Sequence, residues 1–380
     1  MHAAKDLSIG LALSGGGFRA TLFGLGSLWR LNEAGLLGRL ARVTSVSGGS
    51  ILAGILAFHW RQLRFVDGRA DNFEAVVAPP VREFCGQSID IKTAALGHLV
   101  PFMTSGEFLA RRYAKDLFGE TRLHALPDPG SEPAPRFVFY ATNMQTGRSF
   151  RFTQRYIADY YLGISSAPEV TLAQAVAASS AFPPIFSPVI LKTDPATWEK
   201  PHKELPNLEK LRRRIVLADG GVYDNMGLEG LLHNEGRKSL RRGVDVLLVS
   251  DAGAPFEIDE APFEDDLLQL GRVRDILIDQ TRALRKRWLV DDFQSGRRRG
   301  AYWGIGTSIG DYHDPGALTV DNEITDALER IPTRLKKFDA REQGRLINWG
   351  YALADVALRS RAEFAIAPSQ GWPVSEWRLD

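Results

Sequence analysis

Near-continuous apolar runs that end in small-residue turns, with segments of helical spacing between them, predict an α/β fold with a mostly parallel central sheet. Three stretches carry this expectation. Ile9-Gly10-Leu11-Ala12-Leu13 runs into Ser14-Gly15-Gly16-Gly17, Leu40 to Val46 runs into Ser47-Gly48-Gly49, and Val244 to Ser250 runs into Asp251-Ala252-Gly253. Apolar runs without alternation suit strands covered on both faces, as at the buried centre of a parallel sheet. Both the glycine turn and the serine turn therefore fall at carboxyl ends of strands.

After the first turn, Leu22, Leu25, Leu28 and Leu31 recur at helical spacing as far as Gly35, and Ser50 to Leu56 opens a second helix directly after the serine turn. From His59 to Pro135 charged stretches alternate with apolar clusters such as Leu99 to Met103, a mostly helical insertion that serves either as lid or acyl-chain wall or as plain packing scaffold. Arg136 to Thr142 and Ser149 to Thr153 flank a short turn and predict a hairpin at the sheet. Thr171 caps an alanine-rich helix that Phe182-Pro183-Pro184 stops. Thr193 to Arg214, charged and broken by Pro195, Pro201 and Pro206, reads as a surface insertion before the strand Ile215 to Ala218, which ends in Asp219-Gly220-Gly221. Met226 to Leu232 reads as helical. Leu267, Leu270, Val273, Ile276 and Leu277 then repeat at helical spacing with a basic continuation, Arg282 to Arg287. A glycine-rich stretch near Tyr302 to Gly306 precedes a last amphipathic helix around Leu346 to Leu358. With no internal repeat and no long linker, residues 1–380 are expected to form a single domain with insertions at 59–135 and 193–214.

Composition removes several function classes. The 47 basic and 46 acidic residues leave a net charge of +1, so no nucleic-acid partner is expected. The basic runs Arg282 to Arg287 and Arg297 to Arg299 are either solvated surface or a peripheral contact with anionic membranes. Cys85 is the single cysteine, which precludes an internal disulfide and fits a reducing compartment. The N-terminus lacks a basic flank, a long apolar core and a cleavage site, and no run reaches the roughly 20 apolar residues of a spanning helix. Ile51 to Phe58 comes nearest and is broken by Gly54 and closed by His59. The expected location is the cytoplasm.

A serine hydroxyl is a poor nucleophile near neutral pH and needs a base and an electrostatic site for its oxyanion. Ser47 lies on a tight strand-to-helix turn with Gly48 and Gly49 behind it, which favours it over Ser45 and Ser50. Gly15, Gly16 and Gly17 can point backbone N–H groups beyond their strand at a helix N-terminus, forming an oxyanion hole, a phosphate cradle or a plain turn. Gly15 to Ala20 also fits a relaxed dinucleotide-binding pattern, but Leu40 to Ser47 holds no acid for a ribose and no Gly-Lys-Ser/Thr occurs. None of the seven histidines (His2, His59, His98, His124, His202, His233, His313) lies at a glycine-marked strand end. Asp219 does, and Asp251 repeats the arrangement one strand later. A carboxylate bonded to the serine accepts its proton if burial raises its pKa. No His-Glu-x-x-His run or Cys/His cluster occurs, so neither a metal nor a cofactor is expected.

At these residues the chain resembles the patatin-like and cytosolic phospholipase A2-like serine acylhydrolases. Ser14-Gly15-Gly16-Gly17-Phe18-Arg19-Ala20 looks like the family's oxyanion loop and Val46-Ser47-Gly48-Gly49-Ser50 like its nucleophile elbow, with Ser45 in place of the elbow's first glycine. Ala178-Ser179-Ser180-Ala181-Phe182-Pro183 resembles its Ala-Ser-x-Ala-x-Pro block, and Asp219-Gly220-Gly221-Val222-Tyr223-Asp224-Asn225 the block with the catalytic aspartate. The resemblance runs from Ile9 to Asp251 and implies a three-layer α/β/α fold and a Ser-Asp dyad. By it, Ser47 is the nucleophile, Asp219 its base, and Gly15, Gly16 and Gly17 the oxyanion donors with Arg19 in support. The expected activity is hydrolysis of lipid or other acyl esters through an acyl-enzyme, in the manner of a phospholipase or lysophospholipase. The alternatives are a non-catalytic binding or scaffold protein on the same fold, and a dinucleotide-binding protein.

Overall fold

The computed structural model describes residues 7–89, 104–166, 169–183, 185–186, 188–203, 205–232, 240, 243–256, 258, 260, 269–362, 364–369 and 371–380. Its sheet grows outward from β1 (Ile9–Leu13), which lies between β2 (Leu40–Val46) and β12 (Val246–Asp251) and runs parallel to both. β13 (Gly300–Gly304) and β5 (Arg136–Asn143) extend this set, giving a parallel centre in the order β13-β12-β1-β2-β5. β1 and β12 are buried throughout, which is why their sequences show no polar alternation. Past β5 the sheet turns antiparallel through β6 (Arg148–Thr153), β7 (Ile157–Asp159), β8 (Gly163–Ser165) and β10 (Trp198–Glu199). The expected β5–β6 hairpin is present.

β5 has a second neighbour on the edge it shares with β2. Its residues Arg136 to Tyr140 pair with β2 in parallel, whereas Ala141 to Asn143 pair antiparallel with β11 (Arg214–Asp219), which also pairs with β9 (Val189–Lys192). Since β6 occupies the other edge over the same residues, β2 and β11 approach each other head-on.

Helices flank both faces unequally. Successive β1 side chains point to opposite sides. Ile9, Leu11 and Leu13 enter a deep core with α1 (Gly17–Glu33), α2 (Gly48–His59), α3 (Phe73–Cys85), α4 (Ser105–Tyr113), α5 (Leu172–Ser180) and the long C-terminal helix Ala340–Ser360. Ala12 enters a thin one with Met226, Leu228, Leu231, Leu247, Val249 and Leu289. The result is the expected three-layer α/β/α arrangement.

Several expectations are refined. Within 59–135 the described residues are mostly helical, joined by the small β3 (Phe65–Val66) and β4 (Arg69–Ala70) hairpin, while the Leu99 to Met103 cluster lies outside the described residues. Thr193 to Arg214 is not all surface, because Trp198 is buried and β10 adds an edge strand to the sheet. Arg214 already belongs to β11, after the short α6 (Leu208–Arg213). Met226 to Leu232 makes only a 3-10 turn at Leu228–Gly230, since Gly227 takes a left-handed φ of 72° and interrupts the path from α7 (Gly221–Asp224). Tyr302 to Gly306, read only as glycine-rich, overlaps the fully buried β13. α5 ends at Ser180, and Pro184 and Leu267 fall outside the described residues. α8 (Gln269–Gln294) and α9 (Glu323–Glu329) precede the C-terminal helix, α10 (Ala340–Ser360).

α1 and α10 cross with their backbones touching. A Cβ on Gly26 would overlap the Ile347 carbonyl, and one on Gly350 would overlap the Phe23 carbonyl. Gly350→Val is expected to cost about 3 kcal/mol, the upper range for overpacking a closed core. The measurement is the urea midpoint, which should fall at unchanged slope; an unmoved midpoint would mean the two helices separate freely.

Candidate active site

β1 has neighbours on both sides reached by separate crossovers, so the turns after β1, β2 and β12 converge at the carboxyl ends of adjacent strands, where open α/β sheets form their crevice. The serine turn is built by close backbone packing. A Cβ on Gly48 would overlap the Gly17 carbonyl, and one on Gly49 would lie 2.5 Å from the Leu13 carbonyl oxygen. The Gly49 N–H donates to the Ser14 carbonyl at 3.1 Å, and the Thr21 hydroxyl donates to the Gly48 carbonyl at 2.8 Å. Held in this way, Ser47 adopts φ 51° and ψ −119°, a backbone state that costs a non-glycine residue about 1–3 kcal/mol.

Three buried serines support that turn. The Ser47 N–H donates to Ser179 Oγ at 2.9 Å, and Ser179 Oγ donates to the Tyr140 carbonyl at 2.6 Å. Ser50 Oγ lies 2.9 Å from both Ser45 Oγ and Ser179 Oγ. The sequence offered Ser45, Ser47 and Ser50 as neighbours, and only Ser47 keeps a partly exposed side chain outside this network. Ser45, in the place of a glycine, is accommodated as a member of it.

Asp219 arrives at the end of β11. Its register partner on β5 is Ala141, and that of Val46 is Tyr140, so the two strand tips abut and Ser47 meets Asp219. The Ser47 hydroxyl is close enough to the Asp219 carboxyl to favour its charged form. The Gly221 N–H donates to Asp219 Oδ1 at 2.7 Å. Burial raises the Asp219 pKa from its ordinary value to about 7, against the pull of those two donors. The end of α5 and the residue after it brace the Asp219 turn: the Asp219 N–H donates to the Ala181 carbonyl at 3.0 Å and the Gly220 N–H to the Ser179 carbonyl at 3.2 Å. Thr142 Oγ1 donates to the Asp219 carbonyl at 2.8 Å. Sequence reasoning quoted Ser179 within a block but gave it no task, because its partners come from three distant segments.

The glycine loop is narrower in capacity than expected. The Gly15 N–H donates to the Asn225 carbonyl at 2.9 Å, so Gly15 is committed to the protein and supplies room beside Ser47 rather than a free donor. Among the described residues, the N–H groups of Gly16 and Gly17 have no protein acceptor. Arg19 is not at the mouth either. Its fully buried guanidinium donates to the Ala252 carbonyl at 2.8 and 3.1 Å, to Thr333 Oγ1 at 3.0 Å and to the Ile331 carbonyl. Burial, with the Arg282 charge nearby, lowers its pKa to about 10. Arg19 thus fastens the loop from behind.

Asp251, the second aspartate at a strand end, has a different environment. It accepts from the Arg282 Nε at 2.9 Å, the Tyr302 hydroxyl at 2.8 Å and the Gly253 N–H at 2.9 Å. Burial opposes its charge, but Arg282 and these donors outweigh it and hold the carboxyl below the ordinary aspartate range. The basic runs are likewise engaged: Arg282 with Asp251, Arg285 with Glu229 and Asp224, Arg297 with Asp291 and Asp292, and Arg298 with Asp292. Arg282, Arg285, Arg297 and Arg298 are therefore ion-paired. Of the histidines, His2, His98 and His233 lie outside the described residues. No group of His, Cys, Asp and Glu among the described residues could hold a metal ion. Tyr113, at the end of α4, is fully buried, and burial, with a smaller contribution from the Asp219 charge, raises its pKa. A cavity of about 610 Å³ beside Arg30, Glu33, Tyr351 and Trp372 lies at the other end of α1 from Gly17 and takes no part.

Solved structures align with this chain at low identity. Human GIVD cytosolic phospholipase A2 aligns at 13% identity with a TM-score of 0.48, covering 94% of this chain and 61% of that one. The same human enzyme in complex with methyl gamma-linolenyl fluorophosphonate and terbium chloride aligns at 16% and 0.48, covering 94% and 60%. VipD from Legionella pneumophila aligns at 16% and 0.38, covering 93% and 67%. This chain thus spans about three fifths of the length of the human phospholipase. No curated protein matches it. Among the described residues no helix is long and apolar enough to cross a membrane. The model of the patatin-like phospholipase family matches residues 11–232, more than half of the chain and running from within β1 past the Asp219 turn, and the protein therefore belongs to the patatin-like phospholipase family.

Proposed function

We propose that the protein is a serine acyl hydrolase of lipid esters that works through a Ser47–Asp219 dyad. The observation that carries this reading is the head-on meeting of β2 and β11, which sets a strained serine against a buried carboxyl whose pKa lies about 7. Asp219 takes the Ser47 proton as Oγ attacks the acyl carbon, and the Gly16 and Gly17 N–H groups receive the oxyanion. The C–O bond to the alcohol breaks, and the proton passes from Asp219 to the leaving oxygen. Water then attacks the acyl carbon with Asp219 again as base, the bond to Ser47 Oγ breaks, the proton passes from Asp219 to Oγ, and the free acid leaves. The chemistry calls on no metal or cofactor.

The same proposal treats residues 1–380 as one catalytic unit with insertions at 59–135 and 193–214. It is supported by β12, β13 and α10, which lie beyond the family-matched segment yet complete the sheet and pack on α1. A cytoplasmic location fits the lone, buried Cys85.

A fluorophosphonate probe should label the wild type and not Ser47→Ala; an unlabelled wild type that hydrolyses no ester in a lipid panel would sink the proposal. Asp219→Asn should lower kcat/KM by at least about 10³-fold, since removing the base of such a unit has effects of that order. Full activity in that variant would refute the dyad.

The pH profile follows with its sign. Only ionised Asp219 can accept the proton, so kcat/KM should fall tenfold per pH unit below an apparent pKa of about 7. A flat profile between pH 5 and 8 would exclude Asp219 as the base. Stability runs the opposite way. With the folded pKa above the unfolded value of 3.8, the native state binds more protons across that window, and stability is lost as pH rises through it. Asp219→Asn escapes this loss and should be more stable than wild type at pH 8 by up to about 4 kcal/mol, three pKa units at about 1.4 kcal/mol each. Urea unfolding at pH 5 and pH 8 measures the difference.

A further inference from the structure

Two glycines of the site have no conformational reason to be glycine. Gly16 takes φ 142° and Gly17 φ 60°, but neither Gly15 nor Gly221 has a positive φ. Both are required by space instead, and one side chain takes that space. A Cβ on Gly15 would overlap Asn225 Oδ1, and one on Gly221 would lie 2.7 Å from the same oxygen. The glycine loop and the Asp219 turn therefore leave a common gap that the Asn225 carboxamide fills.

The gap adjoins both members of the dyad. The Gly15 Cβ position is also 3.2 Å from Ser47 Cβ, and the Gly221 Cβ position is 3.0 Å from Asp219 Oδ1. The carboxamide thus lies beside Ser47 on one hand and Asp219 on the other.

Asn225 is held there by its backbone and its neighbours, not by its side chain. It follows α7, and its carbonyl accepts the Gly15 N–H at 2.9 Å. Asp224, before it, is buried, and its carboxylate accepts the Met226 N–H at 3.2 Å and the Glu229 N–H at 3.0 Å. Met226, after it, is buried in the thin core. The carboxamide itself is half-buried and has no hydrogen-bond partner among the described residues. An asparagine kept for its turn bonds the nearby backbone, and this side chain does not. A half-turn about Cβ–Cγ therefore brings Nδ2 into the gap without breaking a protein bond.

The chemistry of the neighbours defines what this amide serves. The Asn225 carbonyl has taken the Gly15 N–H from the oxyanion site, leaving the Gly16 and Gly17 N–H groups. An acid in the gap would set a second negative charge beside Asp219. A cation would hold Asp219 ionised, as Arg282 holds Asp251. A neutral donor adds a bond to the reacting group and leaves the base able to gain and lose its proton.

We propose that Asn225 is a catalytic residue whose Nδ2–H donates to the oxyanion formed when Ser47 attacks the acyl carbon, in place of the Gly15 N–H. This inference rests on the acyl-hydrolase reading of the site.

The test compares full-length wild type, Asn225→Ala and Asn225→Asp on a soluble short-chain p-nitrophenyl ester and with the fluorophosphonate probe. Asn225→Ala keeps the backbone carbonyl and removes no protein bond, so its melting temperature should equal that of wild type. Its kcat should fall at least about 10²-fold at unchanged KM, since a donor used only in the transition state acts on kcat. Labelling of Ser47 should slow by a similar factor, because the phosphoryl oxygen of the probe occupies the same site. Asn225→Asp has the native shape but offers an acceptor in place of the donor, so it should be at least as slow. Wild-type kcat in either variant, or a raised KM at unchanged kcat, overturns the proposal. So does unchanged labelling with an acyl-enzyme that accumulates in a burst, because Asn225 would then serve the attacking water. Wild type that neither takes the label nor hydrolyses the ester overturns the hydrolase reading itself, whereas active wild type with equally active variants overturns this inference alone.

Discussion

β5 carries two partners along one edge, and the site exists because they run in opposite directions. β2 rises beside Arg136 to Tyr140 and β11 descends beside Ala141 to Asn143, so their carboxyl ends collide between Tyr140 and Ala141. In a wholly parallel sheet, strand ends lie side by side about 4.8 Å apart and present separate turns. Here they lie in line, and Ser47 and Asp219 face each other without a long side chain between them. Neither residue needs a histidine to span the gap, which gives a physical reason for the lack of a histidine at a glycine-marked strand end.

That collision is costly, and the neighbouring contacts offset the cost. Ser47 is held at a positive φ, and among the described residues no cation meets the buried Asp219 carboxyl. The restraint comes from the stretch around Ser179, whose hydroxyl takes the Ser47 N–H while its carbonyl takes the Gly220 N–H. A single residue on α5 thus fixes both tips at once. The Gly17 carbonyl packed on Gly48 closes the third side. In such close backbone packing the glycines are required by proximity as much as by their dihedral freedom.

Much of this was legible in the sequence where one physical signal dominated. β1, β2 and β12 announced themselves through unbroken apolar runs, and Ser47 and Asp219 through the small residues behind them. Strand direction left no such trace: Ile215 to Ala218 looks the same whether it runs with β5 or against it. β13 was hidden by Gly300 and Gly304, which read as a loop until Trp303 and Tyr302 are seen buried. The apolar periodicity of α8 correctly indicated a helix but not which way it faces, because a stripe turned to solvent and one turned to a core have the same spacing. The Gly15 amide was read as a donor, and only the Asn225 carbonyl, more than two hundred residues away, removes it.

The two strand-end aspartates show how far local sequence determines chemistry. Asp219-Gly220-Gly221 and Asp251-Ala252-Gly253 end similar strands, and in each turn the amide two residues on donates to Oδ1. They diverge through α8. Arg282 gives Asp251 a cation that keeps it ionised, while Asp219 meets only neutral donors among the described residues and is driven toward neutrality by burial. The ionised one becomes structural, since the turn it anchors also offers the Ala252 carbonyl to Arg19 and the Ala252 N–H to Ser14 Oγ. The inner face of α8 therefore reaches the glycine loop through two residues, Asp251 and Ala252. Arg282, which seats α8 on the sheet, thereby anchors the same turn that holds Arg19 and Ser14.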